Sequence, residues 1–346
     1  MAFHDSKILI IGSGPAGYTA SIYAARAMLE PVIISGSEVG GQLLITESVE
    51  NYPGFASPIR GDWLMEQMRL QAESFGVKII NDLVVSVNLE RPFTIETELG
   101  DVWRSEAVII ATGSKVKWLG LESEQTFQGF GVSACATCDG FFYKDKEVIV
   151  VGGGNTAAEE ALHLSKIARK VTLVHRSLSL RSEKIIQEKL FAQSNIDFLF
   201  NTEVVDIIGS IPTPPLFPSV SGVRLHNKKD NTVFEIPADG IFIAIGYKPN
   251  TDIFRHKLKM TDTDYIWTAP NSTATSVPGV FASGDVTDDH YRQAITAASM
   301  GCMAALEAEN YLSIHQGSDS KIYYTMYSSK KGISCLLIGI NCGFFM

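Results

Sequence analysis

The chain has 346 residues, of which 45% are hydrophobic and 19% charged; that length suits about two domains of roughly 100–200 residues, and the apolar content excludes a globally disordered chain. Lys and Arg number 29 against 38 Asp and Glu, a formal charge of −9, which is the wrong sign for a protein that neutralises many phosphates, so no nucleic-acid partner is expected. No run reaches about 18 apolar residues and no signal-peptide pattern precedes the first strand, so the expectation is a cytoplasmic protein without a membrane span.

In chain order, Lys7 to Ile11 reads as a buried strand. It runs into Gly12-Ser13-Gly14-Pro15-Ala16-Gly17, followed by an alanine-rich helical stretch to about Ala27 and a second strand, Val32 to Ile34. Strand, glycine turn, helix, strand is the βαβ unit of a dinucleotide-binding fold. Such a helix points its free N–H groups and positive dipole end at a pyrophosphate. After the second strand come Ser35, Gly36, Ser37 and Glu38, with Glu38 slightly late for a ribose contact. Gly40-Gly41-Gln42 follows, where backbone can approach a ligand closely. These residues choose neither FAD nor NAD. Val108 to Ser114 reads as a buried strand ending in a glycine turn, and Lys115 to Gly120 as a connection.

Next comes Ser133-Ala-Cys135-Ala-Thr-Cys138-Asp139-Gly140. Two cysteines at this spacing can close a small disulfide, and the motif often depresses one thiol's pKa, which suits disulfide exchange. Two buried inert cysteines would read the same way. A structural zinc site needs four ligands, and no second Cys or His pair accompanies this one, so no metal is expected. Asp139 can act as general acid or base if burial raises its pKa; otherwise it is an exposed turn residue. Five cysteines in a long chain do not read as a disulfide framework.

The βαβ pattern then repeats. Glu147 to Val151 is the strand, Gly152-Gly-Gly154-Asn155-Thr156-Ala157 the turn, Ala158 to Lys166 helix-like, and Val171 to Val174 the next strand. One glycine motif is weak evidence, but two in good context suggest two nucleotides, one per domain. At the end of the second unit's strand stand His175 and Arg176, with Arg181 further on and no acid. Guanidinium groups there can clamp a 2′-phosphate, so the second nucleotide reads as NADP rather than NAD. Ile211 to Pro218 holds four prolines and reads as a surface loop. Gly240 to Ile245 is a buried strand, Gly246 to Asn250 a turn-rich exit, and Pro278 to Asp285 a strand ending in Gly284 and Asp285. Ala294 to Leu312 reads as a helix, and residues 316–346 carry no motif. The expected fold is α/β with two Rossmann-like dinucleotide-binding domains, the second inserted into the first. The divisions are 1–116 and 246–314 for the first domain, 117–245 for the second, and 315–346 for a tail.

Taken together and in this order, these motifs resemble the low-molecular-weight thioredoxin reductases over about residues 6–314. The resemblance rests on residues 12–17, Gly-Gly-Gln-Leu (40–43), Glu-Asn-Tyr-Pro-Gly (50–54), Ala-Thr-Gly (111–113) and Cys-Ala-Thr-Cys-Asp-Gly (135–140). It continues through residues 152–157, His175-Arg176, Gly-Asp-Val (284–286) and Tyr-Arg-Gln-Ala (291–294). It implies FAD in the first domain, with Gly12, Ser13, Gly14, Pro15 and Ala16 at the pyrophosphate. Ser35, Gly36, Gly41, Gln42 and Asn51 would line the adenosine and flavin sides. Gly284 and Asp285 would lie by the ribityl or pyrophosphate region, and Arg292, Gln293 and Ala294 over the flavin. NADPH would bind the inserted domain through Gly154, Asn155, Thr156, His175, Arg176 and Arg181. The implied relay runs from NADPH to flavin to a Cys135–Cys138 disulfide. Cys138 would face the flavin, Cys135 would attack thioredoxin and Asp139 would handle the proton. The inserted domain would rotate about connections near 115–120 and 244–250. Phe141 and Phe142 resemble an aromatic pocket for thioredoxin, and the family is homodimeric.

Two positions depart from the family pattern. Ser177 stands where many members have a third basic residue, and Phe130 where many have Arg. A charged contact to phosphate is worth roughly 1.5–3 kcal/mol, so Ser177 bears on NADPH preference. A peroxide-reductase subunit or a dithiol oxidase would share the cysteine pair. A ferredoxin–NADP reductase-like protein would lack it.

Overall fold

Strands such as Lys7 to Ile11 are apolar on both faces, which suits a parallel sheet covered on both sides. The computed structural model describes residues 2–46, 48–213 and 217–316, together with a short antiparallel pair, 328–329 against 332–333. The tail expectation for 315–346, with Cys335 and Cys342, falls almost wholly outside the described residues.

The first βαβ unit is β1 (Phe3–Ile11), α1 (Pro15–Arg26) and β2 (Val32–Ile34). There follow α2 (Gly61–Ser74), β3 (Lys78–Ile80), β4 (Val84–Asn88), β5 (Phe93–Thr97) and β6 (Val102–Ile110). The sheet order is β3-β2-β1-β6-β5-β4, and a late strand, Val280–Ala282, pairs parallel to the end of β6. One face packs Ile8, Ile10, Ile33 and Ile109 under α1 and the last helix; the other packs Leu9, Ile11, Val108 and Ile110 against Phe93, Ile95 and Phe254. The alternation follows the two-residue period of a strand.

The chain leaves this sheet through β7 (Ser114–Val116). The second unit contains α3 (Glu122–Thr126), β8 (Val132–Ser133), α4 (Ala136–Asp139), β9 (Glu147–Val151), α5 (Asn155–Leu164) and β10 (Lys170–Val174). It continues with α6 (Lys184–Phe191), β11 (Ile196–Leu199), β12 (Thr202–Ser210), β13 (Ser219–Asn227), β14 (Thr232–Pro237) and β15 (Gly240–Ile243). Its parallel sheet runs β11-β10-β9-β15-β8, with β12, β13 and β14 forming a separate antiparallel sheet. Val148, Val150 and Leu173 face α5. Ile149, Val151 and Ile243 face Val204, Ile207, Val223 and Leu225 of the antiparallel sheet. The second unit is therefore sequence-contiguous and inserted into the first.

The return is β16 (Tyr247–Pro249), then β17 (Val280–Ala282) and α7 (Ala294–Gln316). The two crossings between the units pair as an antiparallel ribbon, Tyr247 opposite Val116 and Pro249 opposite Ser114. Thr112 and Asn250 exchange two side-chain hydrogen bonds of 2.8 Å at its base. The helix expected over 294–312 runs on to Gln316. Gly301 lets it cross α1 closely, since a Cβ there would stand 2.2 Å from the Ala16 carbonyl oxygen.

Beyond the ribbon, the fully buried Glu124 accepts hydrogen bonds from the N–H groups of Leu119 and Gly120, both 2.9 Å. Replacing it with Ala takes the partner from both donors; Gly120 is exposed, so water replaces the carboxylate there, whereas Leu119 is half-buried. At about 1–3 kcal/mol for the one donor left unsatisfied, Glu124→Ala lowers unfolding free energy by about 1–3 kcal/mol, read by urea titration.

Candidate active site

The cysteine motif is held by local hydrogen bonds. Cys135 is extended and caps the single turn α4. Its N–H donates to the Ser133 hydroxyl at 3.0 Å, and the Cys138 N–H donates to Cys135 Sγ at 3.2 Å. The sulfurs are joined, with Cα atoms 5.3 Å apart. The pair is therefore a disulfide rather than two separate buried thiols. Asp139 is half-buried, and burial pushes its carboxyl above the usual range, partly offset by the Ser133 hydroxyl. That is the environment a proton-handling carboxyl needs.

The disulfide opens into a cavity of 750 Å³, within the roughly 300–1,000 Å³ typical of ligand sites. The first glycine turn lines the same cavity. Gly12, Ser13, Gly14, Pro15 and Ala16 all line it, as do Ser35, Gly36, Gly41, Gln42 and Asn51. Asp285, Arg292, Gln293 and Ala294 close it from the β17–α7 side. Cys135, Cys138, Asp139 and Phe142 complete the wall, while Phe141 is exposed. Gly284 does not line the cavity. It sits behind it with φ +77°, and a Cβ there would come within 2.9 Å of Ala16 Cβ.

Local chemistry explains the glycine wall. Gly12 has φ +110°, and a Cβ would lie 2.3 Å from the Ala111 carbonyl oxygen. The N-terminus of α1 has Gly14 as its cap, Pro15 at the start, and no side chain bonding its free N–H groups. Nothing lies within 4 Å of a Cβ at Gly14, so the space beside this helix start is open. An uncapped helix start of this kind suits a phosphate. The Ser114 and Ser283 hydroxyls and Arg292 Nε are buried without hydrogen-bond partners, and all three residues line the cavity. Asp285 is pushed up to about 7, first by burial and then by Asp288, against the opposing effect of Arg292. A long polar ligand with phosphates and hydroxyls, such as FAD, fits this inventory.

The second glycine turn lies elsewhere. None of Gly154, Asn155, Thr156, His175, Arg176 or Arg181 lines the cavity. The α5 N-terminus is likewise uncapped, with open space at Gly154. Asn155 exchanges hydrogen bonds with Glu183, side chain to side chain at 3.1 Å and backbone N–H to side chain at 2.9 Å. Arg176, Ser177 and Arg181 are exposed beside this turn, and the Arg181 N–H donates to the Gly153 carbonyl at 2.6 Å. His175 is different. It is 3% exposed, and a Cβ on Gly153 would fall 2.2 Å from its ring. Burial, then Arg181, hold its pKa below the usual value, so it is neutral at pH 7. It braces the turn from behind, and the exposed cations are Arg176 and Arg181.

Two residues near the disulfide gave no sequence signal. Tyr247, read only as part of a turn-rich exit, lines the cavity and donates its hydroxyl to the Ala134 carbonyl at 2.7 Å. Glu160, read only as helix, approaches Ala136, Asp139 and Arg292. Phe130 stacks on Phe217 of the proline-rich loop, centroids 5.4 Å apart. Among the described residues no cluster suits a metal ion and no helix is long and apolar enough to cross a membrane.

Two Rossmann-like units with a disulfide beside one of the nucleotide turns define a nucleotide-dependent disulfide oxidoreductase. Residues 6–301 match the family model for pyridine nucleotide-disulphide oxidoreductases. A thioredoxin reductase of Rickettsia conorii is 54% identical over 308 residues, covering 89% of this chain and 98% of that one. A solved thioredoxin reductase from Giardia duodenalis, 37% identical, superposes with a TM-score of 0.85 over 90% of this chain and 99% of that chain. That of Lactococcus lactis, described as being in its FR conformation, is 34% identical with a TM-score of 0.59 over 89% of this chain and 99% of that chain. The chain belongs to the pyridine nucleotide-disulphide oxidoreductases and, within them, to the thioredoxin reductases.

The Asp285 environment yields a prediction. A carboxyl with pKa about 4 unfolded and about 7 folded contributes stability at acid pH that is lost as pH rises between those values. In flavin-free protein, Asp285→Asn should raise the melting temperature. The gain should grow with pH up to about 7 and level off above it.

Proposed function

We propose that this enzyme passes electrons from NADPH through FAD and the Cys135–Cys138 pair to the disulfide of thioredoxin. The observation that carries the reading is that the first glycine turn and the redox disulfide share one cavity. Bound there, FAD supplies a group that accepts a hydride from a nicotinamide and passes the electron pair to a disulfide. Residues 1–116 with 246–314 form the FAD unit and 117–245 the NADPH unit.

The chain's own residues do the rest. Gly12 to Ala16 and the α1 N-terminus hold the pyrophosphate, and Asp285 with the Ser283 hydroxyl takes the ligand's hydroxyl groups. Arg176 and Arg181 receive the NADPH 2′-phosphate beside Gly154 and Thr156. In the reduced pair, the Cys138 N–H bond to Cys135 Sγ favours the thiolate at Cys135. That thiolate attacks one sulfur of the thioredoxin disulfide, forming a mixed disulfide and releasing the other sulfur, which takes up a proton. Cys138 then attacks Cys135 Sγ, re-forming the intramolecular disulfide and releasing the second thioredoxin thiol. Asp139, its pKa raised by burial, exchanges the Cys138 proton. The net reaction consumes NADPH, one proton and a disulfide, and yields NADP⁺ and a dithiol.

The second glycine turn lies outside the cavity, so a nicotinamide held there reaches the flavin only if the inserted unit turns about the ribbon of β7 and β16. The lower TM-score to the Lactococcus lactis structure, at nearly the same identity as the Giardia one, supports such a second arrangement. Phe142, at the rim of the disulfide, with the exposed Phe141 beside it, offers an apolar contact for thioredoxin. A homodimer in the cytoplasm completes the proposal.

The test is NADPH-dependent reduction of thioredoxin by FAD-loaded protein. Cys135→Ser should abolish thioredoxin reduction. NADPH oxidation that persists in that variant while wild type leaves thioredoxin oxidised would sink the assignment. Adding a third cation with Ser177→Arg should lower the KM for NADPH about 10-fold, the lower end of what one charged phosphate contact is worth, and leave that for NADH unchanged.

A further inference from the structure

The two units also meet at a polar cluster beside the disulfide. Tyr247, on the ribbon strand β16, donates its hydroxyl to the carbonyl of Ala134, the residue before Cys135. The Arg292 guanidinium lies over the Tyr247 ring, 4.3 Å from its centroid. Arg292 has a left-handed backbone, φ 50°, and its N–H donates to Asp288 at 3.1 Å. The Arg292 guanidinium donates to the Asp289 carbonyl, and its charge also reaches Glu160 of α5 on the inserted unit. The Glu160 Oε2 and the Arg292 Nε are both shut off from solvent, and neither has a hydrogen-bond partner. The groups around the Glu160 carboxyl are the Ala136 N–H and Asp139 from the cysteine segment, Arg292 from the other unit, and Glu159 on its own helix. Glu160 in turn acts on Tyr247, together with Arg292, Asp285 and Tyr265.

We propose that Tyr247 and Glu160 are positioning residues that form, with Arg292, a catch between the two units. It holds the cysteine segment over the cavity and is released when the inserted unit turns. This inference rests on the relay set out above. Tyr247 grips a backbone carbonyl next to Cys135, so it fixes where the sulfurs stand without touching them. Glu160 and Arg292 stand on opposite units, so separating the units separates them.

The catch is linked to a proton. Burial pushes Glu160 up to about 8; the Ala136 N–H and Arg292 oppose this, and Asp139 and Glu159 add to it. Once the units part and water reaches it, the carboxyl returns toward the ordinary value of about 4.3. The closed arrangement therefore holds a proton at neutral pH that the turned arrangement gives up. Falling pH favours the catch, and rising pH through about 8 weakens it. Asp139 is raised in the same sense, so a separate variant must account for it.

Tyr247→Phe and Glu160→Gln are close to isosteric, and retained flavin content reports that each folds. Two rates are measured on the holoenzyme. One is flavin bleaching by NADPH in stopped flow from pH 6.5 to 9. The other is alkylation of Cys135 by iodoacetamide in reduced protein at pH 7, read by mass spectrometry. Tyr247→Phe is expected to raise both rates about 3- to 10-fold, the range set by the loss of one hydrogen bond. Wild-type bleaching should rise with pH through about 8; Glu160→Gln should hold it at the low-pH value, and Asp139→Asn, which removes a charge that raises Glu160, should move the rise to lower pH without abolishing it. Rates within twofold of wild type in Tyr247→Phe, or an unchanged pH rise in Glu160→Gln, would overturn the catch. Should NADPH fail to bleach wild-type flavin, the relay reading falls and the alkylation rates alone decide the catch.

Discussion

The first glycine turn and the Cys135–Cys138 disulfide line one cavity, and the second glycine turn stands outside it. In the proposed relay a reactive ring held in that cavity meets only what lies against it, so the disulfide and a nicotinamide would use the same space in turn. The paired ribbon of β7 and β16 suits that relay. Two crossings hydrogen-bonded to one another form a single joint, whereas two separate linkers would leave the orientation of the second unit poorly defined.

Three carboxyls stand in or beside the cavity. Asp139, Glu160 and Asp285 are all raised by burial. Buried carboxyls are costly when charged, and each finds only partial compensation: the Ser133 hydroxyl, the Ala136 N–H with Arg292, and Arg292 again. Arg292 thus serves two carboxyls and the face of Tyr247. Electron transfer to a disulfide creates thiolates that need protons, and groups titrating nearer neutrality are suited to provide them. The same burial makes the arrangement of the two units sensitive to pH.

Much of this was legible along the chain because its causes are local. The glycine turns work through a few consecutive residues: a positive φ at Gly12, an open helix start at Gly14, an apolar strand before and a helix after. The same holds for the cysteine motif, whose bonds run between Ser133, Cys135 and Cys138. The strands at 32–34 and 147–151 ended where their apolar runs ended. Helix α7 ran four residues past its expected end. The pattern of basic residues after β10 marked a cation site, but it could not distinguish an exposed guanidinium from an imidazole packed behind Gly153.

The sequence by itself determined the two nucleotide turns, the redox pair between them and the class of fold, since each depends on residues adjacent in the chain. The tertiary structure alone decided which turn shares a cavity with the disulfide and that Gly284 lies behind the wall. It also decided that the two linkers pair, and that Tyr247 reaches Ala134 across 113 positions. The physical reason is that these contacts join surfaces of separately folded units. Their partners are chosen by the docking of one sheet against another, and no periodicity or spacing within either unit records it.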